Sequence, residues 1–391
     1  MIRLISALAI RPEIKGITLV VPRGSISPER ISEAARPAIR WCEFDPVSPP
    51  IRLVDRIARR FGSRPPLPPD QQELVSQMDD CDVVYAFWPH RLDFPDVPKP
   101  IVCTFQDAIY FDFPEVLGGK ETIREWHRAA HWLKRASQVV VSSMATKDAL
   151  KRHFDIPPEK LALVHHAILP TDPTTEVQLP PSCADALPPR YLVFPAPISS
   201  HKNHYNLFIA WARFADRMNY PLVLMGNCTQ LLNFKHGQWP KQGDSPRLTG
   251  VLQRHELCMG KDYYALGYVP DEDIPRIIRR AAALIMPTLA EGGGSYPVEE
   301  ALRLGVPVLC SDIPVLREHL KGRSATIGWF DPESPDSILA ALNEWRENND
   351  ARKQSAVEGM KDPRPTWDDV AEGYAAIFSR VAAEGQHGTT P

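Results

Sequence analysis

Two carboxylates separated by glycines are the residues of this chain whose types and spacing point most directly to chemistry. In "PTLAEGGGSYPVEEALRLGVPVLCSD" (287–312), Glu291 and Glu299 bracket Gly292, Gly293, Gly294 and Ser295. Glycines let a backbone approach a ligand with no Cβ in the way. Their N–H groups, with the positive end of a helix that opens at Pro297, make a site for a phosphate or diphosphate. A carboxylate beside phosphate repels it, so the glutamates need another task. Glu299, in the first helical turn, can reach past the phosphates to accept hydrogen bonds from a vicinal diol. Glu291, leaving the strand end, faces the other side of the ligand. A molecule carrying a diol, a diphosphate and a further polar group is a nucleotide sugar. Glu300 reads as a solvated acid of the same helix.

The elements that must position these residues follow from the hydrophobic pattern. Short β-branched runs recur at 16–22, 81–88, 100–105, 138–143 and 160–165, then at 191–196, 221–226, 283–288 and 306–311. Continuous apolar strands alternating with helices predict an α/β fold with parallel sheets covered on both faces. A chain of 391 residues suits two domains. The proline-rich, aperiodic stretch 169–190 predicts the linker between them. The expected partition is a first domain over 1–168, a second over 191–365, and a final segment, 366–391, packing back on the first. Thr366 and Asp369 have the spacing of a capping box, with Trp367, Val370, Tyr374, Phe378 and Val381 on one helical face. Ligands of such sheets sit beyond the C-terminal strand ends, in the cleft between domains.

Composition narrows the partners. A net charge of −3 offers no bulk attraction to nucleic acid. The seven cysteines are odd in number with no CxxC pair, and Cys81, Cys103, Cys228 and Cys310 lie in or beside apolar runs. They predict reduced thiols and a cytoplasmic chain. The first sixteen residues lack a signal-peptide cleavage pattern and the length of a bilayer span. The triplet in "DDCD" (79–82) reads as a turn, no histidine or cysteine spacing suggests zinc, and no metal or cofactor is expected. The basic stretch 51–64 reads as a surface helix whose alternative is peripheral contact with the inner face of a membrane.

Several segments together resemble the retaining GT-B glycosyltransferases of family 4 (glycosyl transferases group 1), with a mannosyltransferase-like character. Glu291-x7-Glu299 followed by "GVPVLCSD" is similar to the family's EX7E signature. "IVCTFQDAIYFDFPE" (101–115), "VVVSSMATKDALKRHFDIPPEKLALV" (139–164), "SSHKNHYNLFIAW" (199–211) and "LGYVPDEDIPRIIRRAAALIMPTLAEG" (266–292) resemble its other segments in order and spacing. The likeness covers roughly residues 80–335. It implies two Rossmann-like domains facing a central cleft and a hexosyl unit moved from a GDP- or UDP-linked donor. The acceptor would be a glycan or lipid-linked hydroxyl, in bacterial surface polysaccharide synthesis. Glu291 and Lys202 would be catalytic. Glu299, the glycine loop, Ser295, Lys202, His201 and Asn203 would hold the donor. Gln106 and Asp107 stand where the family has His-Asp. Gln106 can exchange hydrogen bonds but cannot become cationic. Two alternatives stand beside this: an epimerase or hydrolase of the same fold, and a non-catalytic binding subunit, which that departure and the lack of a glycine pair in "VPRGSISPER" (21–30) favour.

Overall fold

The computed structural model describes residues 1–44, 75–76, 78–89, 97, 99–167, 187–233 and 245–387. The basic stretch 51–64, Cys183 and most of the expected linker lie outside these.

All strand pairings among the described residues are parallel. β1 (Ile17–Pro22) pairs with β2 (Ile39–Phe44). β3 (Val84–Phe87), β4 (Ile101–Phe105), β5 (Gln138–Val141) and β6 (Leu161–Leu163) form a second sheet in that order. β7 (Leu192–Pro195), β8 (Leu222–Met225), β9 (Tyr263–Ala265), β10 (Ala283–Met286), β11 (Val308–Ser311) and β12 (Gly328–Phe330) form a third, ordered β12-β11-β10-β7-β8-β9. β4, β5, β8, β10 and β11 are buried along their whole length, which their unbroken apolar runs require of strands covered on both faces.

The order of the third sheet reverses between β7 and β10. One set of connections winds outward from β7 through β8 to β9, the other from β10 through β11 to β12. Such a switch point leaves a crevice beyond the strand ends, because the two following loops diverge there. The loop after β7 carries Lys202, and the loop after β10 carries Glu291. Opposite them, the ends of β4, β5 and β6 carry Gln106-Asp107, Ser142-Ser143 and His165-His166.

The helix Trp367–His387 belongs in space to the first half of the chain. Its capping box closes: the Thr366 N–H donates to Asp369 at 2.7 Å and the Asp369 N–H to Thr366 Oγ1 at 3.2 Å. Val370, Ala371, Tyr374 and Val381 then pack with Val102 of β4, Val140 of β5 and Leu4 and Leu8 of a helix over Ile2–Ala9. Buried Thr104 Oγ1 lies 2.8 Å from both Tyr85 OH and Tyr374 OH, and Arg380 donates to Gln138 Oε1 at 2.7 Å. The helix Ile2–Ala9 and strands β2, β9 and β12 escape the sequence reading. The first shows only a brief apolar run, and the last two are three residues each.

Cys103 and Cys310 are core thiols, whereas Cys81 and Cys228 are only half-buried and Cys258 is exposed. Among the described residues no helix is long and apolar enough to cross a membrane.

Tyr374→Phe removes one arm of the Thr104 junction and leaves the ring in place. It should lower stability by about 1–2 kcal/mol, read as a lower denaturant midpoint.

Candidate active site

The loop after β7 is built to hold one ammonium in place. Asn203 adopts the left-handed conformation at φ 60°, and its buried amide donates to Pro287 O at 2.9 Å and Pro332 O at 2.7 Å. Asparagine tolerates this conformation better than most residues. The carbonyl of His201 accepts from the Leu289 N–H at 2.7 Å and Thr288 Oγ1 at 3.1 Å. These bonds strap the loop after β7 to the loop after β10. Lys202 Nζ consequently meets Glu291 Oε1 at 2.6 Å, with both side chains largely enclosed. His201 and Asn203 therefore shape the loop; neither lines the cavity. Burial, then the nearby Lys202 charge, push the His201 imidazole down to about 3, so it stays neutral.

A cavity of about 240 Å³ lies between the sheets. It is lined from the first sheet by Gln106, Asp107, Ile109, His166 and Ala167. The other side supplies Lys202, Glu291, Gly292, Gly293, Gly294, Tyr296 and His319. Seven residues singled out in the sequence thus converge on one site. Asp107 also accepts the Ile109 N–H at 3.1 Å, fixing the turn after β4.

The glycines have a steric reason that differs from the one expected. A β-carbon on Gly292 would lie 2.4 Å from Gln106 O, and one on Gly293 would lie 2.6 Å from His166 Cδ2 and Ser142 Cβ. On Gly294, at φ 114°, it would lie 2.4 Å from the His319 ring. Two of the three are pressed against the first sheet's loops, not only open to a ligand. Hydrogen bonds hold the approach: Ser143 Oγ donates to Gly292 O at 2.6 Å, and the Met144 N–H reaches both oxygens of Glu318 at 2.9 Å. His165 Nε2 stands 2.9 Å from the same carboxylate. The N–H groups of Gly293, Gly294 and Ser295 find no acceptor among the described residues, which leaves them free for an anion. Ser295 itself is enclosed at the start of the helix Tyr296–Arg303 and does not line the cavity.

The two neighbouring glutamates of that helix exchange their expected surroundings. Glu299, read as the diol acceptor, has no exposed surface. Its Oε1 accepts from Arg323 at 2.6 Å and its Oε2 from Arg364 at 3.0 Å, so both oxygens are occupied by guanidinium groups. It does not reach the cavity. Glu300, read as a solvated acid, is 8% exposed instead. Burial, with the field of Asp271, pushes its carboxyl up to about 7. One residue of helical rotation, about 100°, separates a saturated carboxylate from an unsaturated one.

His166, His319 and Tyr296 are the cavity-lining residues that the sequence reading missed. His166 lies three residues past the end of β6, and nearness to a strand end is the signal that could have found it. His319 ends a separate helix, Pro314–His319, and only the fold brings it here. Burial, then the charges of the amino terminus, His319 and His165, push His166 down to about 4. His319 is likewise lowered, chiefly by burial. Burial pushes the Tyr296 hydroxyl up to about 12.

The comparisons with known proteins agree with this arrangement. The family model described as Glycosyltransferase Family 4 matches residues 18–171, and that described as Glycosyl transferases group 1 matches residues 184–361. The O-antigen chain mannosyltransferase B of Escherichia coli is 26% identical over 286 residues, covering 70% of this chain and 67% of that protein. Three further relatives align over 92 residues, 10–11% of their own length. Sucrose-phosphate synthase from Thermosynechococcus elongatus superposes with a TM-score of 0.65 at 15% identity, over 98% of this chain and 92% of that one. Anabaena HepE in complex with UDP and glucose gives 0.58 at 13% identity, over 95% and 100%. These structures share the fold, which is GT-B: two α/β halves about a cleft.

Gly293→Ala should prevent the closed approach of the two sheets. Small-angle scattering should report a larger radius of gyration with an unchanged far-ultraviolet circular dichroism spectrum; an unaltered radius would remove the steric account. Glu300 also gives a pH signature. In the native state it keeps its proton to about pH 7, whereas an unfolded carboxyl releases it near 4.5. Its stabilising contribution is therefore present below pH 4.5 and is lost as pH rises through 7. Glu300→Gln should flatten this slope and gain on the order of 3 kcal/mol over the parent near pH 8, measured by denaturation at both pH values.

Proposed function

Because this chain belongs to the group 1, family 4 glycosyltransferases, we propose that it moves a hexosyl unit, most simply mannose, from a nucleotide-diphosphate sugar to a glycan or lipid-linked hydroxyl, with retention of configuration. The observation that carries the reading is the single cavity in which Lys202, Glu291 and the unbonded amides of the glycine loop face Gln106 and Asp107. Mannosyl transfer is supported by the 26%-identical relative, a mannosyltransferase by name, and a nucleotide donor by the UDP held in the Anabaena structure.

Each group then has a defined task. On donor binding, Lys202 exchanges its ion pair with Glu291 for the diphosphate, and the amides of Gly293 and Gly294 share the charge. Negative charge grows on the leaving diphosphate in the transition state, so a fixed ammonium and oriented N–H groups stabilise it more than they stabilise the ground state. Glu291, released from Lys202, accepts hydrogen bonds from the transferred sugar. Gln106 contributes neutral hydrogen bonds from the opposite wall. The leaving phosphate takes the proton of the acceptor hydroxyl on the same face, so the site needs no separate side-chain base. Helix and ammonium together supply the positive field, and the donor requires no metal.

The diol partner in this reading is Glu300 rather than Glu299. A carboxylate whose oxygens are both filled by buried guanidinium groups gains little from a ribose, whereas a buried carboxyl without such partners gains two hydrogen bonds. In this reading the nucleoside lies toward Asp271, near the turn over 266–271, where Tyr268 is 67% exposed.

Thermal shift with GDP, UDP, ADP and dTDP and their hexose conjugates should give a rise of several degrees for one nucleotide, larger with its sugar. Glu300→Gln should then weaken that binding roughly tenfold. A flat response to the whole panel would favour a non-catalytic subunit, and an undiminished affinity would return the diol role to Glu299.

A further inference from the structure

The mechanism above leaves one cavity group without a task. His166 stands at the end of β6, lines the cavity beside Gln106 and Asp107, and has its Nε2 enclosed with no hydrogen-bond partner. Its ring is tilted toward Tyr296, centroids 6.4 Å apart, and its Cδ2 edge faces Gly293 of the opposite loop. An enclosed ring nitrogen without a partner is uncommon in a folded protein and points to an absent one. The charged groups around it are the Met1 amino group, His165 and His319, and burial outweighs each of them in keeping the ring neutral. A neutral imidazole offers one donor and one acceptor, which suits a hydroxyl and gives no charge attraction to phosphate.

The dimensions indicate which hydroxyl. The cavity of about 240 Å³ equals roughly eight waters at their liquid volume, the scale of a single sugar ring. Lys202 and the glycine amides occupy the diphosphate side, so the first sheet's wall faces what lies beyond the phosphates.

We infer that His166 is a specificity-determining residue that hydrogen-bonds, through Nε2, a hydroxyl of the donor's hexosyl unit. This rests on the nucleotide-sugar reading of the site. The residue reads the transferred sugar and leaves the nucleotide alone. In the ligand-free protein Nε2 has no bond to lose, so replacing the ring by leucine should leave the melting temperature unchanged or raised.

Titration calorimetry of the full chain with GDP, UDP, GDP-mannose and UDP-glucose tests this. The parent should bind one sugar nucleotide more tightly than its nucleotide. His166→Leu should reduce that preference about tenfold with the affinity for the bare nucleotide unchanged. His166→Gln, whose amide nitrogen reaches about as far as Nε2, should recover most of it. Unchanged sugar-nucleotide binding by His166→Leu would overturn the inference, as would an equal loss for nucleotide and sugar nucleotide. Failure of the parent to bind any nucleotide would instead overturn the nucleotide-sugar reading, and the inference with it.

Discussion

The contact between a glycine loop and the opposite sheet is the constraint on which the rest of this structure depends. At Gly292 and Gly293 a single β-carbon would come within 2.4–2.7 Å of residues on the loops after β4, β5 and β6. Overlaps of that size cannot be absorbed where the neighbour is backbone, as with the Gln106 carbonyl. The two halves close only because these side chains are missing. Closure then shapes everything near it. It brings Gln106 and His166 to the same small cavity as Lys202.

Closure is held by polar groups drawn from both halves. Ser143 caps its own helix by accepting the Thr146 N–H while donating to Gly292 O across the cleft. Glu318 takes the exposed N–H of Met144 at the start of the same helix, where the dipole favours a carboxylate. The helix Trp367–His387 works differently. It buries an apolar stripe against β4 and β5.

Charge is arranged in two layers behind the glycine loop. The outer layer faces the cavity, where Lys202 and Glu291 pair with each other. The inner layer is permanent. Glu299, Arg323 and Arg364 form a buried cluster that joins the helix Tyr296–Arg303 to the segment leading into the last helix, since Arg323 also donates to Pro363 O and Arg364 to Asp362 O. Breaking one partner there would strand a buried charge, a cost of several kcal/mol. Glu300, one residue on, belongs to neither layer, and its carboxyl is raised by burial and then by the field of Asp271.

The sequence by itself determined the parallel α/β character, the capping box at Thr366 and Asp369, and the convergence of Gln106, Asp107, Lys202, Glu291 and the three glycines. Apolar runs, cap spacing and strand-end positions are local properties, and ligands of parallel sheets gather at strand ends whatever the details. Only the tertiary structure decided which of two adjacent glutamates is buried among arginines, because helical rotation is set by what each face packs against, and Arg323 and Arg364 lie 24 and 65 residues away in the chain. It also decided that the glycines serve closure, and that His166 and His319 meet at one cavity. Those are contacts between distant segments, and no periodicity or spacing along the chain encodes them.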